Sequence, residues 1–274
     1  MMRNRKVNVV GGLSAWLWLL ITIVPIYYIV ITSLRKQSAY FTEGPLSIPE
    51  NPTLSAYQLV LQNDFLKYFV NSLIVTLVSV ALTLVVALMA SYYVARSGTR
   101  VSAGVLRLIL LGLAIPLQAT IIPVYYMIVQ LGLYDTLIAL ILPSIAFSIP
   151  ISVLIIVNFL RDIPGELFES MHMDGATDWR MLRSLALPLT RPALMTVGVY
   201  IGLNVWNGFL FPLILTQSSS VRVLPLSLWT YQGQFAVNVP AVLAAVTLSA
   251  IPVLAAYIVG RRQLVSGLTA GFGK

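Results

Sequence analysis

The chain has 274 residues, of which 58% are hydrophobic and 9% charged, with a mean hydropathy of +0.90. A soluble domain carries about 25% charged residues, so the composition excludes an ordinary globular protein and marks an all-α integral membrane protein. The absence of cysteine excludes disulfides and cysteine-based metal or catalytic sites, and the net charge of +8 invites a nucleic-acid reading only until its distribution is examined.

A membrane-crossing helix needs about 20 largely apolar residues. Six windows qualify: about 11–34, 69–95, 104–130, 137–160, 193–216 and 239–260. The first follows Arg3, Arg5 and Lys6, as a signal peptide would. Its apolar core is longer than the roughly 7–15 residues of a signal segment and ends in no small-x-small cleavage site, so it reads as a retained span. Residues 37–67, broken by Gly44-Pro45, Pro49 and Asn51-Pro52, read as a loop packed on the membrane surface.

The second window opens at Asn71-Ser72, and its small residues Ser79, Ala87, Ala90 and Ser91 let helices approach closely. The third holds Pro116 and Pro123, with Gln118 and Thr120 between them and Tyr125 beyond. Prolines at that depth free backbone carbonyls, which need a neighbour or a water-filled cavity. This window is therefore either a kinked packing helix or a break that lines a pathway. The turn Leu131–Thr136 leads to a fourth window with Pro143 and Pro150. The fifth contains Asn204, Trp206, Asn207, Gly208 and Pro212. Amides within a membrane must be paired or wet. They either bond a neighbouring helix or, beside an aromatic face, supply the donors and acceptors that a sugar requires. A serine-rich loop, 217–238, precedes the sixth window, and a tail, 261–274, follows it.

Basic residues set orientation, because they accumulate in cytoplasmic loops. With the N-terminus inside, only Arg35, Lys36, Lys67 and Arg222 lie outside, and the other 13 of the 17 Lys and Arg lie inside. The four outer acids Glu43, Glu50, Asp64 and Asp135 bring the outer face to neutrality, so the whole excess of +8 is cytoplasmic. That is a topology signal, not a nucleic-acid footprint. Both termini and the stretch 161–192 fall inside.

The stretch 161–192 is the longest run of mixed charge. It holds five of the nine acids and His172, the single histidine. Pro164 suits a first helical turn, and Glu166 and Glu169 suit the positive end of the helix. Leu167, Phe168 and Met171 form a helical apolar stripe. Asp174-Gly175 ends the helix, since glycine tolerates the left-handed conformation there. Thr177 or Asp178 can cap a second helix from Trp179 to Leu187, before Pro188 and Pro192. The pattern predicts helix, glycine turn, helix, lying on the membrane surface.

No Asp, Glu, Lys or His stands near the centre of any window, as a proton- or ion-coupled carrier would require. The glycine-rich end at Gly267–Lys274 fails the spacing of a phosphate-binding loop. His172 has no companions for a metal site, and no Ser/His/Asp grouping points to hydrolysis. Energy for active transport must then come from another chain.

The central stretch resembles the cytoplasmic "EAA" loop of ABC-importer permeases, through Ile163-Pro164, Glu169-Ser170-Met171, Asp174-Gly175-Ala176, Leu187-Pro188-Leu189 and Pro192. Ser170 and Met171 replace the two alanines. The resemblance covers nearly the whole chain, and is closest to the second permease subunit of sugar importers of the maltose-transporter type. It is carried by Pro25 with Ser33-Leu34-Arg35, Asn71-Ser72, Leu131-Gly132-Leu133, Trp206-Asn207-x-Phe209-Leu210-x-Pro212-Leu213 and Gly267-Leu268-Thr269-Ala270-Gly271. Gly208 stands where such permeases often carry an acid.

The resemblance implies a type I importer permease fold: six transmembrane helices, with a coupling helix in the cytoplasmic loop, in a prokaryotic cytoplasmic membrane. It implies a homologous second permease, two ATP-binding subunits that hold ATP and Mg, and an extracytoplasmic solute-binding protein. The chain itself would bind no cofactor or metal and catalyse nothing. Glu166, Leu167, Phe168, Glu169, Met171, Asp174, Gly175 and Ala176 would form the ATPase-coupling surface. The depth and chemistry of Gln118, Tyr125, Asn204, Trp206 and Asn207 make them candidates for the solute pathway. A permease for glycerol-phosphate, peptides or amino acids is the alternative, and a secondary carrier a more distant one.

Overall fold

Prolines and glycines decide where the helices break. In the computed structural model, residues 9–231 and 237–270 are described, 256 and 259–270 by their backbone alone. No β-strand occurs among them. The basic residues Arg3, Arg5 and Lys6 and the end of the tail, 271–274, lie outside the described residues.

Among the described residues, three helices are long and apolar enough to cross a membrane: α1 (Val9–Ser33), α2 (Phe65–Ser97) and α5 (Leu137–Arg161). The third window is broken. Helix α3 (Arg100–Leu111) and its short continuation to Ala114 meet a second helical piece, which includes α4 (Ile121–Gln130), at a bend of 95°. The cause is Pro116. The residue before a proline is pushed out of the helical region, and Ile115 is extended, at φ −84 and ψ 113. Pro123 sits in the first turn of α4, where a missing N–H costs nothing. The fifth window also breaks: α8 (Arg191–Trp206) ends before Gly208, and α9 (Leu210–Leu215) restarts after it. Helix α10 (Val239–Ala270) runs past the expected end of the sixth window and takes in most of the tail.

The chain divides into two units, one of residues up to Leu66 with Ser227–Ile251, the other of Lys67–Leu226 with residues from Pro252 on. In the first, α1 is exposed from Val9 to Tyr27, and the segment after it is folded around Arg35. That side chain is buried; its Nη2 donates to the carbonyl of Gly44 at 2.9 Å and to that of Ser47, and its Nε lies 3.3 Å from Glu43.

In the second unit, Val153, Ile156, Val157 and Leu160 of α5 pack with Ala87 and Tyr92 of α2 and with Val197 and Ile201 of α8. Glycine allows two close approaches. A Cβ on Gly112 would lie 2.8 Å from Cγ of Pro150 on α5, and one on Gly198 would lie 3.3 Å from Leu84 on α2. Helix α5 continues through both of its prolines. Ser144, Ser148 and Ser152 each donate to the carbonyl four residues earlier at 2.6 Å, a pattern that also bends helices gently.

Candidate functional site

The stretch 161–192 folds as helix α6 (Gly165–Met173), a tight turn, and a second helical segment, α7 (Asp178–Leu189). The turn has the geometry of a Schellman motif: the N–H of Ala176 donates to the Met171 carbonyl and that of Gly175 to the His172 carbonyl, both at 2.9 Å. Gly175 has a φ of +76, which explains why a residue without Cβ stands there. Ala176 is buried against the same cluster as Met171, the apolar contact that accompanies this motif. Of the two capping candidates Thr177 does the work, its Oγ1 accepting from the N–H of Arg180 at 3.4 Å.

Helix α7 extends beyond the expected Trp179–Leu187 and contains a π-turn at Leu182–Ala186. A proline ring crowds the carbonyl four residues earlier, which for Pro188 is that of Ser184 inside this turn, so widening of the ladder relieves that clash. The segment then bends by 74° into α8 at the buried Thr190.

Helix α6 has two faces. Phe168 points inward at 7% exposure, its ring centroid 6.3 Å from that of Tyr92 and 3.6 Å from the guanidinium carbon of Arg96. Arg96 also donates to the carbonyls of Leu160 and Ile163. Arg96 therefore ties the end of α5 and the start of α6 to α2, with the Phe168 ring beneath it. Met171 is half-buried on the same side. Glu166, Leu167, Glu169, Asp174 and Gly175 are exposed. Phe168, read from the sequence as an outward anchor, is instead the inward peg of α6, and the outward apolar groups are Leu167 and Met173, with Trp179 beyond the turn.

The pathway candidates separate. A cavity of about 260 Å³ in the second unit is lined by Asn204 and Trp206, together with Phe147, Phe209 and Phe211 and the hydroxyl-bearing Ser72, Ser144 and Ser148. Trp206 packs edge-on against Phe69, their centroids 5.7 Å apart. Asn204 spends its amide N–H on the Tyr200 carbonyl at 2.8 Å, and Asn207 spends its own on the Leu203 carbonyl at 2.8 Å. Both satisfy their own helix and keep an acceptor oxygen for another group. Gln118 is exposed beside Leu117, a lining residue; Asn207 and Tyr125 do not line this cavity, and Tyr125 packs on Tyr134.

A short surface helix with a rigid inner face, joined through bent helices to an aromatic cavity, agrees with what the sequence patterns match. Residues 84–264 match the family described as binding-protein-dependent transport system inner membrane component. The chain belongs to that family. This permease is 39% identical over 254 residues to ORF2 of Caldicellulosiruptor sp. (strain Rt8B.4), described as an ABC transporter permease protein, covering 93% of this chain and 92% of the relative. It is 33% identical to the sulfoquinovosyl glycerol transport system permease protein SmoH of Agrobacterium fabrum, covering 90% and 87%. Its fold is that of a chain in the crystal structure of a bacterial ABC transporter involved in import of the acidic polysaccharide alginate, with a TM-score of 0.82, 23% identity, and 96% and 99% of the two chains covered.

The residues of the permease that sequence reasoning missed are the cavity serines and phenylalanines. Ser144 and Ser148, four apart on α5, carried a signal, since two hydroxyls at helical spacing share one face. Phe147, Phe209 and Phe211 carried none, because an aromatic residue in an apolar window reads the same whether it lines a cavity or meets lipid.

Proposed function

We propose that the chain is the membrane-spanning permease subunit of an ATP-driven, binding-protein-dependent sugar importer. It forms half of the translocation pathway and couples to a separate ATPase through α6. The observation that carries this reading is the two-sided build of α6. Phe168 and Arg96 hold its inner face to α2 and α5, the left-handed turn at Gly175 sets its exit, and Glu166, Leu167 and Glu169 remain free for a partner. A helix so mounted transmits a push to the bundle instead of yielding to it.

A sugar substrate is supported by the relative that serves sulfoquinovosyl glycerol, a glycoside, and by the cavity itself, where aromatic faces stand beside serine hydroxyls and an asparagine. The partners are a homologous second permease, two ATP-binding subunits that hold ATP and Mg, and an extracytoplasmic solute-binding protein. The chain spans a prokaryotic cytoplasmic membrane six times with both termini inside, and it hydrolyses nothing itself.

Co-expression with its genomic neighbours, followed by purification in detergent, tests the reading. A complex of two permeases and two ATPase copies, whose hydrolysis rises with one sugar-loaded binding protein, is the expected result. A chain that purifies alone and moves solute in vesicles without ATP is a secondary carrier, and the proposal falls. Stimulation by a phosphate ester, peptide or amino acid and by no sugar keeps the permease and overturns the substrate.

A further inference from the structure

The turn between α4 and α5 carries one acid, Asp135, to which the proposed function assigns no role. Its φ is +59, a left-handed conformation that asparagine and aspartate tolerate better than most residues. In that conformation Oδ1 accepts the backbone N–H of Gln217 at 2.8 Å and that of Ser218 at 3.0 Å, and the N–H of Asp135 donates to the Leu215 carbonyl at 3.0 Å. The same segment is held again further on. Nδ2 of Asn71 donates to the carbonyls of Ser220 and Arg222, both at 2.9 Å, and Oγ of buried Ser72 accepts the N–H of Leu224 at 2.8 Å.

From Thr216 to Val223 the chain has no helix, so its backbone groups must find partners elsewhere. Side chains from two distant parts of the sequence supply them. The held segment leads from Phe211 and Pro212 to Val223 and Pro225, which all line the cavity, and Ser72 lines it too.

We propose that Asp135, Asn71 and Ser72 are positioning residues for transport, clamping the segment 216–225 as a fixed wall of the solute cavity. Asp135 is the strongest member, because a carboxylate receiving two N–H groups makes charge-assisted bonds, about twice as strong as neutral ones. The inference rests on the reading of this cavity as part of the solute pathway.

This chain has no cysteine, so a chain labelled before assembly with its partners carries the label at one introduced thiol. Ser219→Cys places the single thiol on the clamped segment, at an exposed residue outside the hydrogen bonds named above. A nitroxide label there reports segment mobility in the complete reconstituted transporter, and ATPase activity is titrated with the solute-binding protein. Three variants separate the effects. Asp135→Asn keeps an acceptor and tolerates the left-handed turn, Asp135→Gly keeps only the turn, and Asp135→Ala keeps neither.

In Asp135→Gly and Asp135→Ala the label gains mobility and the apparent KM for binding protein rises about tenfold, the scale of one charge-assisted bond. The kcat per assembled complex is retained. Asp135→Asn stays within about threefold of wild type, in keeping with the weaker neutral acceptor. A merely structural role would lower the yield of complex and leave KM unmoved. A label equally mobile in wild type and Asp135→Gly overturns the clamp, and a freed segment with unchanged KM overturns its role in transport. Failure of binding protein to stimulate the wild-type complex strikes the importer reading instead, and the label still reports on the clamp.

Discussion

Gly112 and Gly175 both stand where a side chain would be costly, for different reasons. At Gly112 the cost is space: a Cβ would meet the Pro150 ring at 2.8 Å, and neither a proline ring nor a helix backbone yields easily. Overpacking of this kind costs about 1–3 kcal/mol, so Gly112→Ala lowers the melting temperature of the purified chain by several degrees. A melt unchanged from wild type would show that α3 and α5 part freely. At Gly175 the cost is conformation: nothing lies within 4 Å of a Cβ, but φ is +76. A left-handed alanine costs about 1–2 kcal/mol. Gly175→Val, a β-branched residue that this conformation excludes, leaves the protein inserted, because the turn lies at the surface, but misdirects the exit of α6. Normal uptake together with normal recovery of ATPase would count against a coupling role.

Asp135 adds a pH dependence. The N–H of Gln217 holds its carboxyl below the usual carboxylate range against the opposing effect of burial, with Ser218 helping. A group whose pKa is depressed on folding stabilises above its unfolded value, about 3.9, and loses that contribution as pH falls through the folded one. From pH 5 to 8 the melting difference between wild type and Asp135→Asn is therefore constant, and it shrinks only in stronger acid.

At the scale of elements, much of α6 is legible in the sequence and its rotation is not. Pro164, the early glutamates and Asp174-Gly175 mark its ends by local rules that need no tertiary context. Leu167 and Phe168 are adjacent and both apolar, so periodicity alone leaves open which one faces inward. The structure settles it through Arg96, whose guanidinium lies over Phe168, a pairing across 72 residues of sequence that no local pattern reveals. The two positions therefore fail differently. Phe168→Ala removes a buried ring, costs about 3–5 kcal/mol, and shows as a lower melting temperature of the chain alone. Leu167→Glu, at 42% exposure, leaves the melt unchanged and reduces co-purification of the ATPase. The reverse pattern would mean that α6 sits in the assembly with its other face outward. The bend at Pro116 was legible as one of two readings, but its 95° was not, because a proline marks where a helix can break and the packing on either side sets the angle. The same limit explains why Asn207 and Tyr125 were grouped with Trp206: similar depth in the membrane does not place residues on one wall.

At the scale of the whole molecule, the asymmetry of charge is the widest-ranging fact in the sequence, and it makes a prediction about sidedness. The 13 basic residues assigned to the inner face include Arg180, Arg183 and Arg191, which follow the turn after α6. Translocation of such a segment opposes the positive-inside bias, which predicts that α6 lies inside and the segment held by Asp135 outside. Two single-cysteine variants of the cysteine-free chain test this directly: Ser170→Cys on the exposed side of α6, and Ser219→Cys on the clamped segment. In intact cells a membrane-impermeant maleimide labels Ser219→Cys and spares Ser170→Cys, and permeabilisation brings the second up to the level of the first. Labelling of both before permeabilisation would put α6 within reach of the extracytoplasmic side, where no ATP is available to drive it. The coupling role of α6 would then fail, whatever the family resemblance.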